Sequence, residues 1–180
     1  MIVLVTGGVR SGKSHHAEQM VVGFDHVHYV ATGPDEQTEP DPDWAERLRL
    51  HRQRRPRHWR LHESTDISAV LAGTDEAVLI DCLGTWLTRL MDAGHWWDRS
   101  GREAAQAIDA SVDEVLVQLR ARRVRTSQPT VLVTNEVGLG VIPSHRSGAL
   151  FRDLLGTLNR RVGQECEEVH LVVAGRVLRL

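Results

Sequence analysis

Short apolar runs alternate with longer amphipathic segments along most of the chain. Five runs rich in β-branched residues and leucine predict buried strands, at 2–6, 27–31, 77–81, 130–134 and 169–175. Segments with helical periodicity lie between them, at 14–22, 44–53, 85–91, 103–123 and 147–165, and the last residues, 176–180, predict a short terminal strand. Continuous apolar strands separated by helices are typical of α/β proteins, so we expect a mostly parallel sheet flanked by helices.

Length and composition are consistent with one globular unit. The 180 residues fit a single domain spanning 1–180, and a hydrophobic fraction of 41% is enough for a real core. The net charge of -2 predicts no general attraction to DNA or to a membrane, so any anion site has to be built locally. No run reaches the roughly 18 apolar residues of a membrane span, and the opening MIVLVTGG is interpreted as a first strand rather than a signal peptide. An acidic, proline-containing loop is expected at 32–43.

The two cysteines indicate the cellular compartment of the protein rather than a reaction that it catalyses. Cys82 lies in an apolar run interpreted as a buried strand, and Cys166 lies near the end of a polar helix. No spacing pairs them, and two packing thiols suit a reducing cytoplasm.

The stretch GGVRSGKS follows the first predicted strand and precedes the first predicted helix. Its spacing matches the phosphate loop of P-loop NTPases, G-x-x-x-x-G-K-[ST]. Glycines let backbone amides point at phosphate oxygens, and the helix N-terminus favours the same anion. The predicted nucleotide-binding residues are Gly7, Gly8, Val9, Arg10, Ser11, Gly12, Lys13 and Ser14.

Lys13 is the only lysine of the chain, and apart from histidines every other basic residue is an arginine. This use of one lysine supports the prediction that Lys13 contacts the β- and γ-phosphates. Ser14 supplies a hydroxyl ligand for Mg²⁺. Asp81 lies at the end of the third predicted strand, where its carboxylate is expected to supply the second oxygen group near the Mg²⁺ ion. Its alternative role is that of a helix N-cap before Leu83. Asn135 follows the fourth strand and is expected to border the same crevice, as is Glu136, unless the latter only caps a turn.

The stretch LHRQRRPRHWRLHE, residues 50–63, concentrates positive charge in a slightly acidic chain. Three interpretations remain open from these residues alone: contact with a polyanion, handling of one small and highly charged molecule beside a histidine, or a solvated arginine face. Nucleic-acid binding is disfavoured because a single local tryptophan offers little base-stacking surface.

Five motifs occur in a fixed order: GGVRSGKS, HRQRRPRHW, LIDCLGTWLTRL, VTNEVGLGVIP and FRDLLGTLNRR. Together they resemble the bifunctional adenosylcobinamide kinase/adenosylcobinamide-phosphate guanylyltransferase family of cobalamin biosynthesis. The resemblance covers nearly the whole chain. It implies an enzyme that phosphorylates adenosylcobinamide with ATP or GTP and then transfers GMP from GTP to the product, giving adenosylcobinamide-GDP. It also implies a RecA-like domain, a corrinoid substrate and a homotrimer.

The same resemblance implies the site residues. The family's guanylylated histidine falls on His51, which joins Lys13 as a catalytic residue, and Mg²⁺ is carried with the nucleotide by Ser14 and Asp81. Further nucleotide-binding positions fall on Ala31, Thr32, Gly33, Arg52, Gln53, Arg54, Arg55, Glu63 and Asp81. A neutral imidazole is a good nitrogen nucleophile near pH 7, and neighbouring guanidinium groups offset the negative charge around an α-phosphorus.

Two other functions remain as alternatives: a kinase-only P-loop enzyme for another small alcohol, and a RecA-like ATPase or nucleic-acid-binding module.

The remaining histidine pairs, at 15–16 and at 26 and 28, predict no metal site because no third ligand lies nearby. His58 and His62 are expected to pack or to form hydrogen bonds. Trp96 and Trp97 are expected to pack within their loop rather than contact a corrin or a neighbouring subunit.

Overall fold

The computed structural model describes residues 1–34 and 41–180, except for the side chains at positions 44, 47, 51 and 54. Half of the predicted acidic loop at 32–43, namely residues 35–40, lies outside these residues, and positions 42 and 43 belong to a helix rather than to a loop. The described elements, in chain order, are β1 (Ile2–Gly7), α1 (Lys13–Val21), β2 (Val27–Ala31), α2 (Pro42–Arg54), β3 (Arg60–Glu63), α3 (Ile67–Ala72), β4 (Ala77–Asp81), α4 (Leu83–Ala93), a 3-10 turn (Trp96–Asp98), α5 (Gly101–Arg125), β5 (Thr130–Val133), α6 (Arg146–Gly163), β6 (Glu168–Val173) and β7 (Arg176–Arg179).

The seven strands of the described residues form one sheet in the order β3-β2-β4-β5-β1-β6-β7. Neighbouring strands are parallel throughout, except that β7 returns antiparallel to β6. The predicted fold class, a mostly parallel sheet flanked by helices, is therefore confirmed. Among the helices described, none combines the length and the apolar character that crossing a bilayer requires.

Helices cover both faces of the sheet, which is why its central strands are apolar throughout. Because successive residues of a strand point to opposite faces, Leu4, Ile80 and Leu132 contribute to one core and their neighbours to the other. The first core lies under α3, α4, α5 and α6 and includes the fully buried Trp86. The second lies under α1 and contains Val3, Val5, Tyr29, Trp59, Leu79, Val131 and Val133.

Most predicted elements are present, including the short terminal strand, with ends shifted by one or two residues. The sequence did not indicate β3, because Arg60–Glu63 is polar and exposed and pairs with one strand only. It did not indicate α3 either, a helix of six residues. The assignment of Cys82 to a buried strand was wrong, since β4 ends at Asp81 and Cys82 is the N-cap of α4.

The carboxyl ends of β1, β2, β4 and β5 meet at one edge of the sheet. In open parallel sheets this is the edge at which ligands bind. The loops that leave these four strands therefore determine what the protein can hold there.

Candidate functional site

The segment between β1 and α1 has the backbone of a phosphate loop. Two residues adopt left-handed conformations, Arg10 at φ 56° and Gly12 at φ 96°, and this curvature turns successive amide groups toward a common point. Gly7 has no room for a side chain, because a Cβ atom there would lie 2.4 Å from the carbonyl oxygen of Val172. The helix begins at Lys13, whose ammonium donates a hydrogen bond to the carbonyl oxygen of Gly8 at 3.2 Å.

A cleft opens at the carboxyl edge of the sheet beside this loop. Its lining combines the phosphate loop, the ends of β2, β4 and β5, and the inner face of α2. The described lining residues are Val9, Lys13, Ser14, Tyr29, Ala31, Gly33, Pro34, Leu48, Arg55, Asp81, Cys82, Thr85 and Asn135. The structure thus brings Lys13, Ser14 and Asp81 together with Arg55 from the basic segment, as the motifs predicted.

Asp81 occupies the last position of β4 and accepts a hydrogen bond from the Tyr29 hydroxyl, with 3.0 Å between the hydroxyl and Oδ2. The alternative role of Asp81 as a helix N-cap is wrong, because Cys82 takes that position. Burial, and then the charge of Asp81, raise the pKa of Tyr29 well above its ordinary value. The phenol therefore keeps its proton and acts as the donor.

Thr32 and Thr85 connect the segment that follows β2 with the first turn of α4. Both hydroxyls donate to the carbonyl oxygen of Cys82, at 2.7 and 2.9 Å, and they lie 2.8 Å from each other. Thr32 is completely buried, and its side chain is used in this network rather than in the cleft lining. Burial, followed by the charge of Asp81, raises the pKa of the Cys82 thiol, which favours the uncharged form.

Asn135 borders the crevice as expected, whereas Glu136 is not among the described residues that line it. Asn135 lines the cleft, and its carbonyl oxygen accepts a hydrogen bond from the Asn159 amide at 3.0 Å. The backbone amide of Glu136 donates to the carbonyl oxygen of Gly7 at 3.1 Å, which ties this loop to the end of β1. The Glu136 carboxylate accepts from the amide of Gly138, so its turn-forming role is also present.

The basic segment divides between the cleft and the surface. Arg55 lines the cleft, whereas Arg52 is exposed and forms an ion pair with Glu63 at 2.8 Å. Among the residues described, neither Gln53 nor Glu63 lines the cleft. The predicted positions His51 and Arg54 lie on α2, and their side chains are outside the described part of the structure.

Several cleft residues were not indicated by the sequence: Tyr29, Pro34, Leu48 and Thr85. Tyr29 is an ordinary residue for a buried strand, and only the strand register shows that it faces the same side as Asp81. Its register partner is Leu79, two residues before Asp81 on β4. A weak signal existed, because Tyr29 is the only tyrosine of the chain and lies two residues before a predicted site position.

Two of the other histidines, His28 and His62, belong to a hydrogen-bonded chain. His28 on β2 contacts His62 Nε2 at 2.9 Å and the Glu76 carboxylate at 2.8 Å. His62 therefore forms a hydrogen bond, as expected. Within residues 1–34 and 41–180, no group of three metal-binding side chains converges. Trp97 donates to the Asp92 carboxylate at 2.5 Å and lies against the core, in agreement with packing inside its loop.

The oxygen donors of the cleft fit a nucleotide-borne Mg²⁺. The ion takes oxygen ligands and is commonly held by one or two protein groups together with substrate phosphates. Ser14 and Asp81 line the same cleft as Lys13 and supply one hydroxyl and one carboxylate. This donor set suits an ion that arrives with a triphosphate rather than one caged by the protein.

Comparison with known proteins identifies the family. Residues 3–180 match the family described as cobinamide kinase / cobinamide phosphate guanyltransferase. The chain is 40% identical to the bifunctional adenosylcobalamin biosynthesis protein CobU of Salmonella typhimurium, with 97% of each chain covered. It is 35% identical to the protein CobP of the same description from Pseudomonas aeruginosa, covering 96% of this chain and 92% of that one.

A solved structure, that of the RadB recombinase, aligns with 94% of this chain and 73% of its own, with a TM-score of 0.49 and 15% identity. The match over residues 3–180 and the identities of 35% and 40% over nearly complete chains extend far beyond the phosphate loop. The chain belongs to the cobinamide kinase / cobinamide phosphate guanyltransferase family.

Proposed function

We propose that this chain phosphorylates adenosylcobinamide with ATP or GTP and then transfers GMP from GTP to the phosphorylated product, giving adenosylcobinamide-GDP. Family membership supports both activities. We also propose that residues 1–180 act as one domain. The alternatives of a kinase for another alcohol and of a RecA-like ATPase are less well supported, since the relatives are named for adenosylcobalamin biosynthesis.

In the kinase step, the substrate hydroxyl attacks the γ-phosphorus, the bond to the bridging oxygen of the nucleoside diphosphate breaks, and the hydroxyl proton is released. Lys13 offsets negative charge on the β- and γ-phosphates, and the amides of the phosphate loop donate to their oxygens. Ser14 and Asp81 would hold Mg²⁺, which supplies further charge neutralisation when bound. These side chains line the cleft from two strand ends.

In the guanylyl step, a ring nitrogen of His51 attacks the α-phosphorus of GTP and pyrophosphate leaves. The product is a phosphoramidate between the imidazole and GMP. A phosphate oxygen of the phosphorylated corrinoid then attacks the same phosphorus, the P–N bond breaks, and the imidazole recovers its electron pair. Dividing the transfer in this way replaces one difficult displacement by two easier ones. Arg55 would stabilise the charge that develops on the phosphate oxygens.

The observation that carries this proposal is that α2 and the phosphate loop line the same cleft. Leu48 of α2 and Arg55, the residue directly after this helix, belong to the lining, together with Lys13 and Ser14. Positions 48 and 51 are spaced by three residues within α2 and therefore share one face of this helix. This spacing supports His51 as the residue that meets a nucleotide bound at the phosphate loop.

The direct test is incubation of the purified protein with GTP labelled at the α-phosphate. We expect label on the protein that is lost in acid and retained in alkali, and no label from GTP marked at the γ-phosphate. His51→Ala should abolish labelling but keep ATP-dependent phosphorylation of adenosylcobinamide. The matched control is His58→Ala, an exposed histidine on the same segment, which should label normally. Full labelling of His51→Ala would overturn the assignment, and intact-mass spectrometry would show the same adduct.

We further propose that the protein works in the cytoplasm as a homotrimer without a nucleic-acid partner. The family resemblance supports the trimer, and two free thiols suit a reducing compartment. Light scattering after gel filtration tests the trimer, which a mass of one or two chains would contradict. A polynucleotide that stimulates nucleotide hydrolysis would contradict the absence of a nucleic-acid partner.

A further inference from the structure

Tyr29 connects the core of the protein to the carboxylate of Asp81. Its side chain is 3% exposed, and its hydroxyl donates to Oδ2 of Asp81 at 3.0 Å. Both residues project from the same face of adjacent parallel strands, since Tyr29 lies opposite Leu79 and Asp81 is two residues further along. The hydrogen bond therefore spans two strand ends at the edge where the phosphate loop lies.

The Tyr29 ring is fixed from two further sides. The guanidinium carbon of Arg55 lies 4.2 Å from the ring centroid, and the ring of Trp59 stacks at 6.2 Å with 24° between the planes. A planar ring held in this way has little freedom to rotate, so its hydroxyl occupies one position. Asp81 consequently receives its hydrogen bond from a rigid donor rather than from water.

We propose that Tyr29 is a positioning residue for phosphoryl transfer, orienting Asp81 toward the Mg²⁺·nucleotide. A proton held on the phenol occupies one lone pair of Oδ2 and limits rotation of the carboxylate about its terminal torsion. The remaining lone pairs then keep a constant direction in the cleft. This inference rests on the proposed function, because Asp81 has a metal to serve only if the cleft binds a nucleotide with Mg²⁺. Groups that orient metal ligands commonly contribute tenfold or more to metal affinity or activity.

The competing explanation is that Tyr29 is only a core residue whose hydroxyl has found an acceptor. In that case removal of the hydroxyl lowers stability and affects both reactions alike, without changing the dependence on metal. A positioning role predicts a specific change: the Mg²⁺ requirement of the kinase step rises while KM for adenosylcobinamide stays constant. The two explanations therefore differ in a measurable dependence and not merely in overall activity.

The first experiment uses the full chain carrying Tyr29→Phe, which keeps the ring and removes the hydroxyl. Binding of Mn²⁺ in the presence of a non-hydrolysable ATP analogue is measured by electron paramagnetic resonance, and the kinase rate is titrated with Mg²⁺. We expect a Kd for Mn²⁺ about tenfold weaker and a kinase rate that recovers at high Mg²⁺. Thr130→Val is the matched control, because it also removes a buried hydroxyl, at the start of β5 and outside the cleft lining, and it should keep the wild-type metal dependence.

The second experiment leaves the hydroxyl of Tyr29 in place. Because Tyr29 is the only tyrosine of the chain, biosynthetic fluorotyrosine labels this position alone and gives a single fluorine NMR signal. We expect this signal to shift when Mg²⁺ is added to the complex with the ATP analogue, and not to shift in Asp81→Asn. The proposal would be overturned if Tyr29→Phe bound metal with wild-type affinity, or if the fluorine signal did not shift on addition of Mg²⁺. Either result would leave the prediction that Asp81 holds the metal intact. Wild-type metal affinity in Asp81→Asn would instead remove the role of Asp81 itself, and that of Tyr29 with it.

Discussion

His16 and His170 share a hydrogen bond between ring nitrogens, with Nε2 of His16 lying 2.9 Å from Nδ1 of His170. The second ring nitrogen of His170 contacts the Glu168 carboxylate at 2.7 Å. His16 lies on α1, directly after the phosphate loop, and His170 is buried on β6. The contact exists only while at least one of these facing nitrogens is unprotonated.

This contact predicts a loss of stability in mild acid. Burial first, and then the charges of His170, Arg179 and His15, lower the pKa of His16 below 6.5. The unfolded chain therefore binds the proton more readily than the folded one, and the contribution of His16 is complete above about pH 6.5 and is lost as the pH falls through the lower folded value. His62, whose pKa is lowered by burial and by His28, acts in the same direction.

Urea unfolding between about pH 8 and about pH 5.5 measures the effect as the free energy of unfolding. His16→Gln should flatten the decline, and His62→Gln should do so independently. His58→Gln, at an exposed position, should decline as the wild type does. An unchanged slope in His16→Gln would show that another group is responsible.

Gly7 and Gly8 offer a matched pair of substitutions in the phosphate loop. A Cβ atom at Gly7 would lie 2.4 Å from the Val172 carbonyl oxygen and 2.7 Å from the Ser11 hydroxyl oxygen, whereas one at Gly8 would meet nothing within 4 Å. We expect Gly7→Ala to cost about 1–3 kcal/mol of unfolding free energy, and Gly8→Ala less than about 1 kcal/mol. Equal thermal stabilities of the two variants would contradict the tight contact between β1 and β6.

The phosphate loop and the strands around it could be predicted from sequence because their signals are local. Lys13, Ser14 and Asp81 each follow or end an apolar run, and the parallel topology brings such ends together. The pairing of His16 with His170 could not be predicted, since 154 positions separate them and neither residue belongs to a motif. Tyr29 was missed for the same reason, because its role depends on strand register.

Arg122 is a buried cation of α5 with backbone partners. Its guanidinium donates to the carbonyl oxygens of Thr74 and Glu76 and to the Thr130 hydroxyl. Burial lowers its pKa to about 10, so it remains charged at neutral pH. Arg122→Met keeps the apolar stem but removes all three hydrogen bonds, and of these acceptors the Thr74 carbonyl oxygen keeps a bond from Arg125. We expect a loss of about 2–4 kcal/mol in unfolding free energy.

The control for Arg122 is Arg120→Met on the same helix. Arg120 is 58% exposed and pairs with Glu165, so its removal should lower the unfolding free energy far less than removal of Arg122. Chemical denaturation compares the two variants directly. A loss in Arg120→Met as large as that in Arg122→Met would contradict the importance of the buried contacts.

Both cysteine thiols should resist alkylation in the folded protein. Burial raises the pKa of Cys166 to about 12 and that of Cys82 above its ordinary value. Since the thiolate is the reactive form, iodoacetamide at about pH 8 should label neither residue at an appreciable rate. Peptide mapping with and without urea measures this protection. Fast labelling of native protein at Cys82 would show that the loop between β4 and α4 opens readily.

The turn between β6 and β7 also bears on how the protein is made. The backbone amide of Gly175 donates a hydrogen bond to the Ser11 carbonyl oxygen at 2.9 Å. A Cβ atom placed on Gly12 would lie 3.5 Å from the Cα atom of Gly175. β1 itself is bordered by β5 and β6, both from the last third of the sequence. During synthesis, β1 therefore leaves the ribosome well before β5, β6 and Gly175, which contact it and its phosphate loop in the folded protein. A nascent chain stalled short of Gly175 should bind ATP poorly even with every phosphate-loop residue already translated.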